Sequence, residues 1–260
     1  MTYCVAALLD GGLVMASDTR TNAGVDHIAT IRKMTVMDRP GDRVIILLSA
    51  GNLAITQSVV SILREHEAAR GRTGSLFRAP NMFRVAQAVG EVLREVERTD
   101  AEHLRRHGVD FNCSFILGGQ IKGEAPRLFN IYAAGNFIEA APETPYFQIG
   151  EMKYGKPVLD RLLRFDMGLP EAAKCVLVSY TSTIRSNVSV GPPIDLVCYR
   201  RDSLSVEHRT SVAENDPYFR ALTEQWGGSL REAFQALPDP DFMGCDTGGK
   251  AKGAAKKRGG

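Results

Sequence analysis

Two apolar runs open the chain, TYCVAALL and LVMASD, with DGG between them. Strand-like runs around a Gly-rich break predict a β-hairpin. Residues 19–32 are polar and read as a loop. MTVMD then alternates, Gly41–Asp42 supplies a turn, and RVIILLSAG reads as a buried strand ending in glycine. The period changes next. LAITQSVVSILREHEAA sets Leu53, Val60 and Leu63 on one helical face. After the loop GRTGSLFRAPN, a second helix is predicted from Asn81 to Arg106, with Phe83, Ala86, Val89, Val92 and Val96 on its apolar face.

Strand patterning returns in DFNCSFILGGQ, RLFNIYAAG, NFIEAA and YFQIG, separated by Gly-containing breaks that make a meander. KPVLDRLLRFDM and LPEAAKCVLVSYTSTIRS are helical, the second with Pro170 in its first turn. PPIDLVCYRRDSLSVEHRT reads as two last strands. DPYFRALTEQWGGSLREAFQAL is an amphipathic helix pair, or one helix broken at Gly227–Gly228. The order is strands, two helices, strands, two helices, strands. Segregated runs of this kind indicate α+β layering, not alternating βαβ units. Two sheets between two helix layers, a four-layer αββα sandwich, bury every apolar face. The expected organisation is one domain over 1–212, a helical extension over 213–237 and a flexible basic tail over 238–260.

Composition narrows the classes. The 260 residues carry a net charge of +2 and no basic stripe with interleaved aromatics, so nothing points to nucleic acid. No apolar stretch approaches the ~18 residues of a membrane span. The N-terminus lacks a basic segment before its apolar run, which Asp10, Gly11 and Gly12 interrupt, so no signal peptide is read. Five scattered cysteines without a CxxC pair (Cys4, Cys113, Cys175, Cys198 and Cys245) point to a reducing compartment, the cytoplasm. Three of them sit in apolar runs (Cys4, Cys113 and Cys175) and read as small hydrophobes.

Candidate chemistry lies at the start. Thr2 follows the initiator methionine, which is readily removed before a small residue. Removal leaves an α-amine beside a threonine hydroxyl. A hydroxyl is a weak nucleophile until a nearby base takes its proton. The α-amine titrates near ~7.7–8.0 and can be that base. Thr2 alone is a weak signal; its context is stronger. The succession TYCVAALL-DGG-LVMASD-TRTNAG, then IRK-M, then LLSAGNLA resembles the opening of proteasome β subunits and HslV-type bacterial peptidases. The resemblance is strongest over the first ~55 residues. It matches Thr2, Asp18, Lys33 and Gly51 to that family's threonine, acid, lysine and glycine, the lysine lying one residue nearer than usual.

The resemblance implies the N-terminal-nucleophile hydrolase form of the αββα sandwich. It also implies amide hydrolysis through an ester on Thr2, no metal or organic cofactor, and self-assembly into a ring or open washer. A peptide or amide substrate follows; no ATPase partner is specified. Lys33 would place a cation near the hydroxyl and discourage protonation of the amine. Asp18 would hold Lys33, and the Gly51 N–H would bind the oxyanion. Two places depart from the family. Its usual Gly-Ser is Gly150–Glu151 here, a carboxylate that either bonds the α-amine or points away. Its usual Asp with a Ser three residues on is Ser186 and Ser189, so the Ser is kept and the acid is lost. Ser186 and Asn187 are left to supply neutral hydrogen bonds. Rival readings are an amidase of the same fold acting on a small molecule, and a weakly catalytic ring scaffold. His27, His66, His103 and His107 are dispersed and read as surface residues, with His103 and His107 sharing a helix face.

Overall fold

The computed structural model describes residues 2–22, 28–68 and 75–240. His27, Cys245 and the tail from 241 onward lie outside the described residues. Two compact units divide the chain, 1–223 and 224–260. The first holds two five-stranded antiparallel sheets. One is ordered β10–β1–β2–β11–β12, the other β5–β6–β7–β8–β9.

The strands of the first sheet are β1 (Tyr3–Leu9), β2 (Gly12–Asp18), β10 (Tyr146–Gly150), β11 (Ile194–Arg200) and β12 (His208–Val212). Those of the second are β5 (Met34–Arg39), β6 (Arg43–Gly51), β7 (Cys113–Ile121), β8 (Arg127–Ile131) and β9 (Phe137–Glu139). Every residue of β1 and β2 is buried. Successive side chains point to opposite faces, and both faces are covered. Cys4, Ala6, Leu13 and Met15 meet Val44, Ile46, Leu48 and Ile116 of the other sheet to form the core between the sheets.

Helices cover the outer faces. Ile45, Leu47, Phe115 and Phe129 pack under α1 (Leu53–Ala68) and α2 (Met82–Arg106). On the other side, α3 (Lys156–Leu162) and α4 (Leu169–Ser186) lie on the first sheet, where the Tyr180 and Tyr3 rings meet at 4.6 Å. The result is the α+β four-layer sandwich expected from the order of runs.

Local differences from the sequence reading have simple causes. Residues 19–32 are not all loop: β3 (Arg20–Asn22) pairs with β4 (Ile28–Thr30) as a small ribbon. Three-residue strands are too short to show a period. On α1 the buried positions are Ile55, Thr56, Val59 and Leu63, whereas Leu53 and Val60 are half-exposed. Phe83 on α2 is exposed and pairs edge-on with Phe137. α5 (Pro217–Gln235) is continuous through Gly227–Gly228. Glycine lowers helix propensity by about 1 kcal/mol without forbidding the conformation.

Candidate active site

β1 begins immediately after Thr2, and several bonds fix that junction. The Thr2 carbonyl accepts the Glu151 N–H at 2.6 Å. The next peptide N–H, that of Tyr3, donates to Asp18 Oδ1 at 2.9 Å. The Tyr3 carbonyl accepts the Tyr180 hydroxyl at 2.8 Å. The Tyr3 hydroxyl is shared with Ser179 at 2.9 Å and accepts Gln148 Nε2 at 2.8 Å. Burial pushes both tyrosine hydroxyls above their ordinary range, so they stay neutral donors. Gly150 lies beside Thr2 with φ +84°, and a Cβ there would sit 2.0 Å from the Thr2 carbonyl oxygen. Only glycine fits that approach.

β2 ends on Asp18, fully buried, and Lys33 stands just before β5, 7% exposed. Lys33 Nζ donates to Asp18 Oδ1 at 2.7 Å and to the Arg20 carbonyl at 2.6 Å. Burial pushes the Asp18 carboxyl up from its ordinary value; Lys33 and the backbone amides of Tyr3 and Gly191 pull against that. Asp18 sits within the fold as an expensive anion held by one cation.

Gly51 closes β6 at φ +107°, and a Cβ there would lie 2.4 Å from the Asn112 carbonyl oxygen. Register decides where its N–H points. Asn52 N–H donates to the Asn112 carbonyl on the β7 side, and Ser49 N–H donates to the Lys33 carbonyl on the β5 side. Antiparallel strands alternate their bonding direction. Gly51 shares the parity of Ser49, so its N–H points to the β5 side. There β5 has already ended: its first ladder residue, Met34, pairs with Leu48. Ile31, the position opposite Gly51, donates instead to the Thr19 carbonyl at 2.8 Å. Among the described residues the Gly51 N–H has no ladder acceptor.

Thr2, Lys33 and Gly51 line one cleft of about 650 Å³, with Thr21 from β3 and Ser49, Asn130 and Tyr132 on further walls. Asp18 stands behind Lys33. The four residues singled out at the start of the chain therefore come together. The later group sits to one side. Glu151 is buried, and its carboxylate accepts the Lys153 N–H at 2.8 Å and Asn187 Nδ2 at 2.9 Å. Asn187 Oδ1 in turn accepts the Ser189 N–H at 3.0 Å. Glu151 is tied to Thr2 through its backbone, and Asn187 caps α4. Ser186 is exposed at the end of α4, and neither Ser186 nor Ser189 lines the cleft.

The anchor made by Tyr3, Tyr180, Ser179 and Gln148 is invisible in sequence. These residues stand up to 177 positions apart and read as ordinary strand or helix members. Among the described residues no group of three or more His, Cys, Asp or Glu side chains is placed to hold a metal ion. His103 lies within α2, but His107 is its C-terminal cap. No helix of the described residues is long and apolar enough to cross a membrane.

Comparison with known proteins gives this geometry a family. Residues 2–198 match the proteasome subunit family. No curated protein matches the chain. Among solved structures, the Anbu (Gly-1) mutant from Hyphomicrobium sp. strain MC1 is 53% identical with a TM-score of 0.87, over 93% of this chain and 100% of that one. Anbu, an ancestral β-subunit, from Yersinia bercovieri is 50% identical with a TM-score of 0.86, over 92% and 98% of the two chains. A helical assembly of the Anbu complex from Pseudomonas aeruginosa is 49% identical with a TM-score of 0.87, over 92% and 98%. The sandwich is thus of the N-terminal-nucleophile type, and the chain belongs to the proteasome subunit family, among its Anbu members.

Proposed function

We propose that the chain is a threonine-type amidohydrolase that cleaves peptide bonds once Met1 has been removed. The observation that carries this reading is the meeting of Thr2, Lys33 and the unpaired Gly51 N–H on one cleft. The α-amine of Thr2 takes the proton of its own Oγ, directly or through a water, as Oγ attacks the substrate carbonyl. The Gly51 N–H donates to the resulting oxyanion. Its donor has no ladder acceptor before substrate arrives, and such a bond contributes most when its donor is left free in advance.

Collapse of the tetrahedral intermediate breaks the C–N bond, and the α-ammonium returns its proton to the leaving amine. An ester on Thr2 remains. Water then adds to that ester with the α-amine again as base, releasing the acid and restoring the hydroxyl. Lys33 supplies positive potential near Oγ and the amine. Asp18 positions Lys33 and, through the Tyr3 N–H, the backbone that carries Thr2. Glu151 holds the Thr2 carbonyl through its N–H and brings a carboxylate, held by Asn187, in place of the acid missing at Ser186; Ser189 supports Asn187.

The Pseudomonas relative forms a helical assembly, and we extend homo-oligomerisation, as a ring or open washer, to this chain. Buried free thiols at Cys4, Cys113 and Cys175 fit a reducing cytoplasm. A second reading, a weakly catalytic assembly scaffold, is favoured by the exposed Ser186 where the family has an acid.

Intact-mass analysis followed by labelling with a peptide epoxyketone or β-lactone tests the reading. We expect loss of Met1 and a single adduct on Thr2, absent in Thr2→Ala. Retained Met1, or an adduct elsewhere, would overturn it. A Thr2→Ala strain with intact cellular function would favour the scaffold.

A further inference from the structure

A second groove of about 470 Å³ shares a wall with the cleft. Ser49, Leu53 and Thr56 line both. Beyond that wall the groove is bounded by Arg32 ahead of β5, Arg64 on α1 and Arg209 on β12, and among the described residues no carboxylate lines it. All three arginines are exposed. Among the described residues none of their side chains makes a hydrogen bond or an ion pair. Arg39, Arg43 and Arg127 differ: each faces a carboxylate of Asp42 or Glu139.

A guanidinium stays protonated at any ordinary pH and presents a planar fork of donors suited to a carboxylate. Three such groups around one groove, without an acid among them, repel each other and attract an anion. The hydroxyls of Thr35 and Ser61 and the amide of Gln57 line the same space and add neutral hydrogen-bonding partners. Because the two spaces share that wall, a side chain near a bond placed at Thr2 can reach the groove.

We propose that this groove selects peptides carrying an Asp or Glu side chain next to the bond cleaved, with Arg32, Arg64 and Arg209 as the specificity-determining residues. The proposal rests on the amidohydrolase reading and names its substrate class. Exposed arginines held in fluid water do not discriminate strongly. A preference therefore depends on several acting together on one carboxylate, and it weakens with salt.

The test uses the full chain carrying Thr2→Ala, which binds without turnover. Fluorescence anisotropy compares a labelled hexapeptide containing one Glu with its Gln analogue. We expect the Glu peptide to bind about tenfold more tightly at low salt, an advantage that shrinks as salt rises. In the triple variant Arg32→Gln, Arg64→Gln, Arg209→Gln the advantage should fall below about twofold. Equal binding of the two peptides overturns the proposal. So does an advantage that survives in the triple variant, or one lost only because assembly changes in sedimentation. Labelling of Thr2 in the parent by an uncharged epoxyketone is measured alongside. Labelling without a Glu preference removes the groove and keeps the hydrolase; a Glu preference without labelling does the reverse.

Discussion

Replacing Asp18 by asparagine separates what the Asp18–Lys33 pair does for the fold from what it does for chemistry. The carboxylate is fully buried and its partner is 7% exposed. Two effects compete. Removing one member of a buried pair commonly costs about 3–5 kcal/mol, because a lone charge is left behind. At ~2–4 °C per kcal/mol for a chain of this size, that is a drop in Tm of roughly 6–20 °C. Against this, burial holds the Asp18 carboxyl above its ordinary value even with Lys33 at 2.7 Å. The ionised pair is then less favourable in the fold than a neutral side chain of the same shape.

Asparagine is that neutral shape, and it keeps an acceptor for the Tyr3 N–H. Lys33 also retains the Arg20 carbonyl at 2.6 Å. The second effect wins, and Asp18→Asn should hold or raise Tm. The linkage sign agrees. The folded-state value lies above the unfolded one, so the folded chain takes up this proton first as pH falls. Stability of the parent relative to the variant should therefore rise as pH drops through the folded-state value of Asp18. It should level off below the unfolded value, near ~3.9. Chemistry should move the other way: losing the anion that positions Lys33 should slow Thr2 labelling by about 10–100-fold, the size of a typical loss in local positioning. The assays are thermal unfolding from pH 4 to 8 and the rate of β-lactone labelling. A fall in Tm of 6 °C or more at pH 7, or unchanged labelling, would refute the reasoning.

Two further outcomes follow from the same geometry. Gly150→Ala puts a Cβ 2.0 Å from the Thr2 carbonyl oxygen at φ +84°; the left-handed backbone alone costs about 1–2 kcal/mol. Tm should fall, and a shift of Thr2 by about 1 Å should reduce labelling ~100-fold. Glu151→Gln keeps an acceptor for Asn187 but removes a negative charge from the residue whose N–H holds the Thr2 carbonyl. The α-amine should then lose its proton more readily, moving the acid limb of labelling to lower pH in a pH–rate profile. An unmoved limb would place Glu151 in a structural role only.

The chain by itself determined the layers. Runs of alternating or fully apolar residues gave β1, β2, β6 and β7, and 3.6-residue spacing gave α1, α2 and α4, because period and length are properties of contiguous residues. The match of Thr2, Asp18, Lys33 and Gly51 to family positions was legible too, since those residues lie within one stretch of about fifty. Tertiary structure decided the rest. The free direction of the Gly51 N–H depends on where β5 stops relative to β6, which is a matter of register between strands. The tilted ring contact of Tyr3 with Tyr180, the turn of Glu151 toward Asn187, and the gathering of Arg32, Arg64 and Arg209 join segments far apart in sequence. Their chemistry arises only when folding brings separated positions to one place, and no local pattern records that.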